Sequence, residues 1–215
     1  MAGMAAGADL LVARTALELG IGVDAVLPMP MAQYAADFEP AAHDQLRVLL
    51  GQPNVQSVEL ALPARAAGSG NAGADGPRDA HYSNLTEVLV RGSNLLIALW
   101  DGMPSVLPGG TADTVLRYLS VRTDRNKGDS DFLFADPTSD QEPPSRLAYW
   151  IPVVRRLLES NLDPGPPCFL SGRGDNVLQR WPSMLSQLNH RLSELNANNR
   201  EYHQRGCGGP RRRPP

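Results

Sequence analysis

Apolar positions recur at two spacings along this chain, and the two alternate. Residues 9–19 place Leu10, Ala13 and Leu17 on one helical face, with Gly20 as the stop. Residues 41–50 repeat the pattern through Leu46, Leu49 and Leu50 and end at Gly51. A third helix is predicted over 78–91 through Tyr82, Leu85 and Leu89, and a fourth over 111–119 through Ala112, Val115, Leu116 and Leu119. Between them lie short apolar runs that read as strands: 23–27, closed by Pro28, then 58–62, 94–100 and 147–154. The run 94–100 (NLLIALW) is apolar at nearly every position, as the centre of a parallel sheet requires. Pro152 weakens the last strand or puts it at an edge. Helices alternating with strands buried on both faces predict an α/β, Rossmann-like parallel sheet sandwiched by helices.

The pattern sets the expected organisation. Residues 1–155 form the Rossmann-like domain, with Ile97 and Leu99 in the buried centre of its sheet. Two stretches interrupt it: the Ala/Gly-rich 64–77, and 122–145, which sets six acidic residues against Arg122, Arg125 and Lys127. Both are expected as loops. Residues 156–204 are expected as a C-terminal helical extension. Pro182 opens a helix there, and Leu185, Leu188, Leu192 and Leu195 make a stripe that suits packing on the sheet or a helical partner. The low-complexity ending, 205–215, is expected to be a disordered tail whose three arginines are solvated.

Composition narrows the function classes. A chain of 215 residues, 42% hydrophobic and 20% charged, suffices for one large core. A net charge of −3 argues against a broadly basic nucleic-acid binder. No apolar run approaches the roughly 18 residues of a membrane helix, and the start lacks a basic n-region and cleavage site. A soluble, cytoplasmic protein is expected. Cys168 and Cys207 are too far apart to suggest a zinc pattern or a disulfide framework.

One constellation carries candidate chemistry. The strongest strand ends in Trp100, Asp101 and Gly102; a Pro/Gly loop follows, and Pro108, Gly109, Gly110 and Thr111 open a helix that has Asp113 in its first turn. Adjacent glycines let backbone N–H groups approach a ligand, and a helix N-terminus favours negative charge. The same residues also suit a tight turn with Thr111 as cap. At the start of the chain Gly3, Gly7 and Asp9 form a second glycine-bearing entry to a helix. In a parallel sheet both helix starts lie at one edge, so the two loops are expected to converge on one ligand. Pro28 after the first strand, and Tyr34, Asp37 and Trp100 at the pocket rim, complete the candidate set, although core-edge and capping roles fit the last three equally.

Taken together, the segment GMAAGADLLVARTALELG, the Leu27-Pro28-Met29-Pro30 strand end, Tyr34 with Asp37-Phe38, the strand LIALWDG and the loop GGTAD resemble the SLOG superfamily. This Rossmann-like group includes the Smf-type DNA-processing proteins and the Lonely-guy nucleotide hydrolases. The resemblance is to its bacterial sensor-type members and covers roughly residues 1–155. The segment 195–202 (LNANNREY) is similar to the stretch after the SLOG domain in some membrane-linked relatives. Family members begin with another strand and glycine-bearing loop, so the resemblance implies a domain lacking its first βα unit.

The resemblance implies binding of a nucleotide or nucleotide-derived signal without turnover. In Lonely-guy enzymes the second motif resembles PGGxGTxxE, whose glutamate faces the ribose; here it is shortened to PGGTAD, leaving Asp113 as a displaced substitute. A nucleoside 5'-monophosphate phosphoribohydrolase, with Asp113 catalytic, is therefore the alternative. Binding of single-stranded DNA needs a basic groove and stacking aromatics, which one lysine and 6% aromatics support poorly. A protein-interaction scaffold is the remaining alternative. His43, His81, His190 and His203 show no metal spacing and read as surface residues, so neither a metal nor a cofactor is expected. An oligomer, and a membrane or effector protein as partner, stay open.

Overall fold

The computed structural model describes residues 1–61, 76–104, 108–121, 133–137, 146–153, 165–174 and 177–181, with five single positions between 184 and 197. The protein is α/β, with five α-helices and seven strands among the described residues. In chain order these are α1 (Ala8–Glu18), β1 (Val23–Leu27), α2 (Met31–Tyr34), α3 (Pro40–Leu50), β2 (Val55–Glu59), α4 (Gly76–Gly92), β3 (Leu96–Trp100), α5 (Thr111–Tyr118), β4 (Leu133–Ala135), β5 (Ala148–Pro152), β6 (Cys168–Gly172) and β7 (Val177–Trp181). A single 3₁₀ turn, Ala35–Asp37, follows α2.

The strands form two sheets rather than the one parallel sheet expected. β1 and β2 pair in parallel, with Val23 opposite Val55 and Leu27 opposite Glu59. Ala2 adds one parallel bridge on the other side of β1, donating its N–H to the Asp24 carbonyl and accepting from Val26 N–H, each at 2.9 Å. The larger sheet runs β3-β5-β6-β7-β4. It is mixed: β3 with β5 and β4 with β7 are parallel, whereas β5–β6 and β6–β7 are antiparallel. Antiparallel pairing suits β6 and β7, which only four residues separate in sequence, too few for a parallel crossover.

This arrangement corrects several expectations. β3 stands at an edge of its sheet among the described residues, so Ile97 is 50% exposed and Leu99 only half-buried. Its apolar sequence reflects burial of Ala98 and Trp100 on one face, not burial of both. β5, with its proline, lies between β3 and β6 instead of at an edge. Pro152 is tolerated there because β6 pairs only with residues 148–150, and Val153 N–H bonds the Trp100 carbonyl at 3.1 Å. β2 begins three residues earlier than the hydrophobic run indicated and is largely exposed. β4 falls inside the acidic stretch expected as a loop, and β6 and β7 lie inside the segment expected to be helical. Cys168 is buried as the first residue of β6. The four leucines of the stripe, the tail 205–215 and most of 64–77 lie outside the described residues.

Two main cores follow from the two sheets. Met4, Leu10, Ala13, Leu27, Tyr34 and Leu46 pack around β1 between α1 and α3. Trp100, Val115, Tyr118, Trp150, Leu170 and Leu178 pack around the larger sheet, with α5 on top. Phe134 stacks on Trp150 at 5.0 Å between ring centres, 4° from parallel. No described helix is long and apolar enough to cross a membrane.

Leu170 is fully buried at the middle of β6, whereas Val58 on β2 is 55% exposed. Leu170→Ala is expected to lower unfolding free energy by about 2–5 kcal/mol, and Val58→Thr to change it by less than about 0.5 kcal/mol. Urea unfolding of both variants checks this; equal effects would contradict the central place of β6.

Candidate functional site

The first loop is built from Gly3 to Asp9. Gly7 caps α1 at φ 92°, a left-handed conformation that glycine adopts without strain. Met4, fully buried, takes φ 60°, where a side chain costs roughly 1–3 kcal/mol and persists only because its surroundings hold it. Asp9, in the first turn of α1, turns its Oδ2 back to accept Ala5 N–H at 3.1 Å. The Gly3 carbonyl accepts the Tyr34 hydroxyl at 3.2 Å. A Cβ at position 3 would sit 3.0 Å from Leu85 Cδ2 and 3.2 Å from Asp9 Oδ2, so glycine lets the loop lie against α4.

The second loop repeats this construction. Gly110, not Thr111, is the N-cap of α5, and Thr111 is exposed as the first helical residue. Asp113 Oδ2 accepts Gly109 N–H at 2.9 Å, again four residues back, while Oδ1 accepts Arg117 Nε at 3.0 Å. Arg117 in turn reaches Ser83 Oγ on α4 at 3.4 Å. Thr114 Oγ1 lies 3.1 Å from Thr86 Oγ1, both buried, which ties α5 to α4 a second time. Gly109 has φ 78°, and a Cβ there would come 2.6 Å from the Tyr82 carbonyl carbon. That glycine is demanded by the backbone of α4.

Helix α4 is therefore the common wall. Tyr82 meets Gly109, its hydroxyl donates to Asp37, and its ring lies 6.5 Å from that of Tyr34. Arg78, one turn earlier, pairs with the same Asp37 carboxylate and donates to the Gln33 carbonyl at 3.4 Å. Burial, then the neighbouring Tyr82, Asp9 and Asp37, push the Tyr34 hydroxyl well above its ordinary range. Burial and the bond to Asp37 do the same for Tyr82, against the opposing pull of Arg78. Burial likewise raises the Asp9 carboxyl above the usual carboxylate range, and the Ala5 N–H only partly offsets it. Both tyrosines are thus neutral donors. Arg78 and Arg117 carry positive charge along this wall, each paired with an aspartate, Asp37 and Asp113 respectively.

The remaining sequence candidates separate into core and wall. Trp100 is 1% exposed, with Nε1 donating to the Met103 carbonyl at 3.0 Å, so it belongs to the core and not to a pocket rim. Asp101 accepts Met103 N–H at 3.1 Å in a local turn. Gly102, at φ 76°, rests on Trp150, whose ring would be 3.2 Å from a Cβ. The Trp100–Gly102 turn serves the larger core. The Pro28 carbonyl faces His81 Nδ1 at 2.8 Å, so this histidine is half-buried and fixed, not a free surface residue.

Arg78, His81, Ser83 and Arg117 were not among the sequence candidates, and Tyr82 appeared only as part of a helical face. The available signal was spacing: 78, 81 and 82 fall on one side of a helix. Among the described residues no three His, Cys, Asp or Glu side chains gather to hold a metal. No protein-family model, curated protein or solved structure matches the chain.

Two variants probe this construction. An acid whose folded pKa is raised keeps its proton longer in the folded state, so stability falls as pH rises from about 4 through the folded value. Asp9→Asn keeps an acceptor for Ala5 N–H and removes the charge. It is expected to unfold at higher urea than the parent at pH 7, with the two converging toward about pH 4. A difference unchanged by pH would contradict the burial of this charge. Gly109→Ala is expected to destabilise by about 1–3 kcal/mol through its clash with Tyr82 and its positive φ, read from the same unfolding curves.

Proposed function

We propose that this chain binds a nucleotide or nucleotide-derived signal and does not hydrolyse it. The observation that carries the reading is the pair of glycine-bearing loops, each braced by an aspartate four residues on, that meet the same helix beside Arg78 and Arg117. Bracing of this kind holds a loop in one shape before a ligand arrives, so little ordering cost remains at binding. The N-termini of α1 and α5 point partial positive charge along the loops. The phosphate belongs at these helix starts. The sequence resemblance to sensor-type SLOG domains supports the same reading.

The non-catalytic part of the proposal rests on Asp113. Its side chain is 3% exposed and both carboxylate oxygens are engaged, by Gly109 and by Arg117. Acting on a ribose would require Asp113 to give up those bonds, and leaving a buried donor unpaired costs about 1–3 kcal/mol. A carboxylate spent on bracing serves binding better than turnover.

Calorimetry with nucleoside monophosphates, together with an assay for free base, tests the proposal. Binding without base release is expected. Gly110→Val is expected to weaken it tenfold or more while leaving the urea midpoint near that of the parent, because φ −78° and ψ 173° at this position suit valine as well as glycine. Base release lost in Asp113→Asn would establish the hydrolase alternative instead.

A further inference from the structure

The carboxyl ends of β1 and β2 border an open, solvent-facing cleft of about 430 Å³. Pro30, Gln33, Glu59, Leu60, Ala61 and His81 line it. Its polar groups are held in place. Glu59 Oε1 accepts Met31 N–H at 2.9 Å, which fixes the carboxylate in the cleft wall and leaves it further lone pairs for a ligand. His81 Nδ1 lies 2.8 Å from the Pro28 carbonyl, and a carbonyl can only accept, so Nδ1 carries the proton. In the neutral ring Nε2 is then an acceptor. Pro30, Leu60 and Ala61 supply an apolar wall for a flat group.

We infer that this cleft holds the base of the nucleotide and selects one whose edge presents two neighbouring N–H donors, as guanine does with its N1–H and 2-amino group. The inference rests on the nucleotide-binding reading above. A carboxylate accepts and cannot donate, so it pairs with two adjacent donors and leaves unpaired the acceptor that adenine places beside its amino group. His81 precedes Tyr82 directly on α4, and the Gln33 carbonyl accepts from Arg78, so the cleft adjoins the cluster that braces the loops. Phosphate at the helix starts and base in the cleft place one ligand along the carboxyl edge of the β1–β2 pair, where parallel strands carry their ligands.

Calorimetry on the full chain with GMP, IMP and AMP decides. GMP is expected to bind roughly ten- to hundredfold more tightly than AMP, with IMP, which lacks the 2-amino group, in between. Glu59→Gln keeps an acceptor for Met31 N–H but turns the other half of the group into a donor. That pairing suits adenine, so the preference is expected to reverse toward AMP, with the urea midpoint retained. Equal affinity of the unaltered chain for GMP and AMP would overturn the base assignment and leave nucleotide binding standing. Failure to bind any of the three would overturn both.

Discussion

The close approach of Gly109 to the backbone of Tyr82 is the constraint on which the rest of the site depends. It brings the start of α5 onto α4 at a distance that no other residue at 109 permits. Once the helices touch there, Thr86 meets Thr114, Arg117 reaches Ser83, and Asp113 is enclosed. Leu85, nearly one turn on from Tyr82, meets the first loop at Gly3. A helix that separates two sheets in the chain thus joins them in space, with Leu85 against the first loop and Tyr82 against the second.

Bracing by aspartate gives the two loops a common economy. A loop N–H left unpaired near the protein interior costs free energy, and a side chain from the following turn supplies the acceptor without help from elsewhere in the fold. The two aspartates differ in their surroundings. Asp113 has Arg117 beside it, whereas burial raises the Asp9 carboxyl and the Ala5 N–H offsets this only in part. The second loop is therefore the better anchored of the two.

Helices α1, α3 and α4 were legible because each carries a run of apolar residues at helical spacing ended by glycine, at Gly20, Gly51 and Gly92, whereas the single turn of α2 was not. The pairing of strands was not. Nothing local to NLLIALW says that one of its faces meets solvent, since that depends on which strands lie beside it. β6 and β7 follow a Pro/Gly-rich stretch, and the proline count there obscured a hairpin of two short, well-buried strands. In the site, the glycines and aspartates of both loops stood out in the sequence, because their chemistry is local. Their partners Tyr82, Ser83 and Leu85 did not, since the role of each is set by what the fold brings against α4.

The place of β4 has a consequence for how the chain folds. β4 precedes β5, β6 and β7 in the sequence, yet it pairs with β7 at the far end of the sheet from β3. Its neighbour does not exist until some forty residues later have formed the β6–β7 hairpin, so β4 has nothing to pair with while the earlier strands assemble. Closing such a long loop for only three paired positions is entropically costly and gains little in return. With only three paired positions to hold it, β4 is expected to dock after the β6–β7 pair it joins.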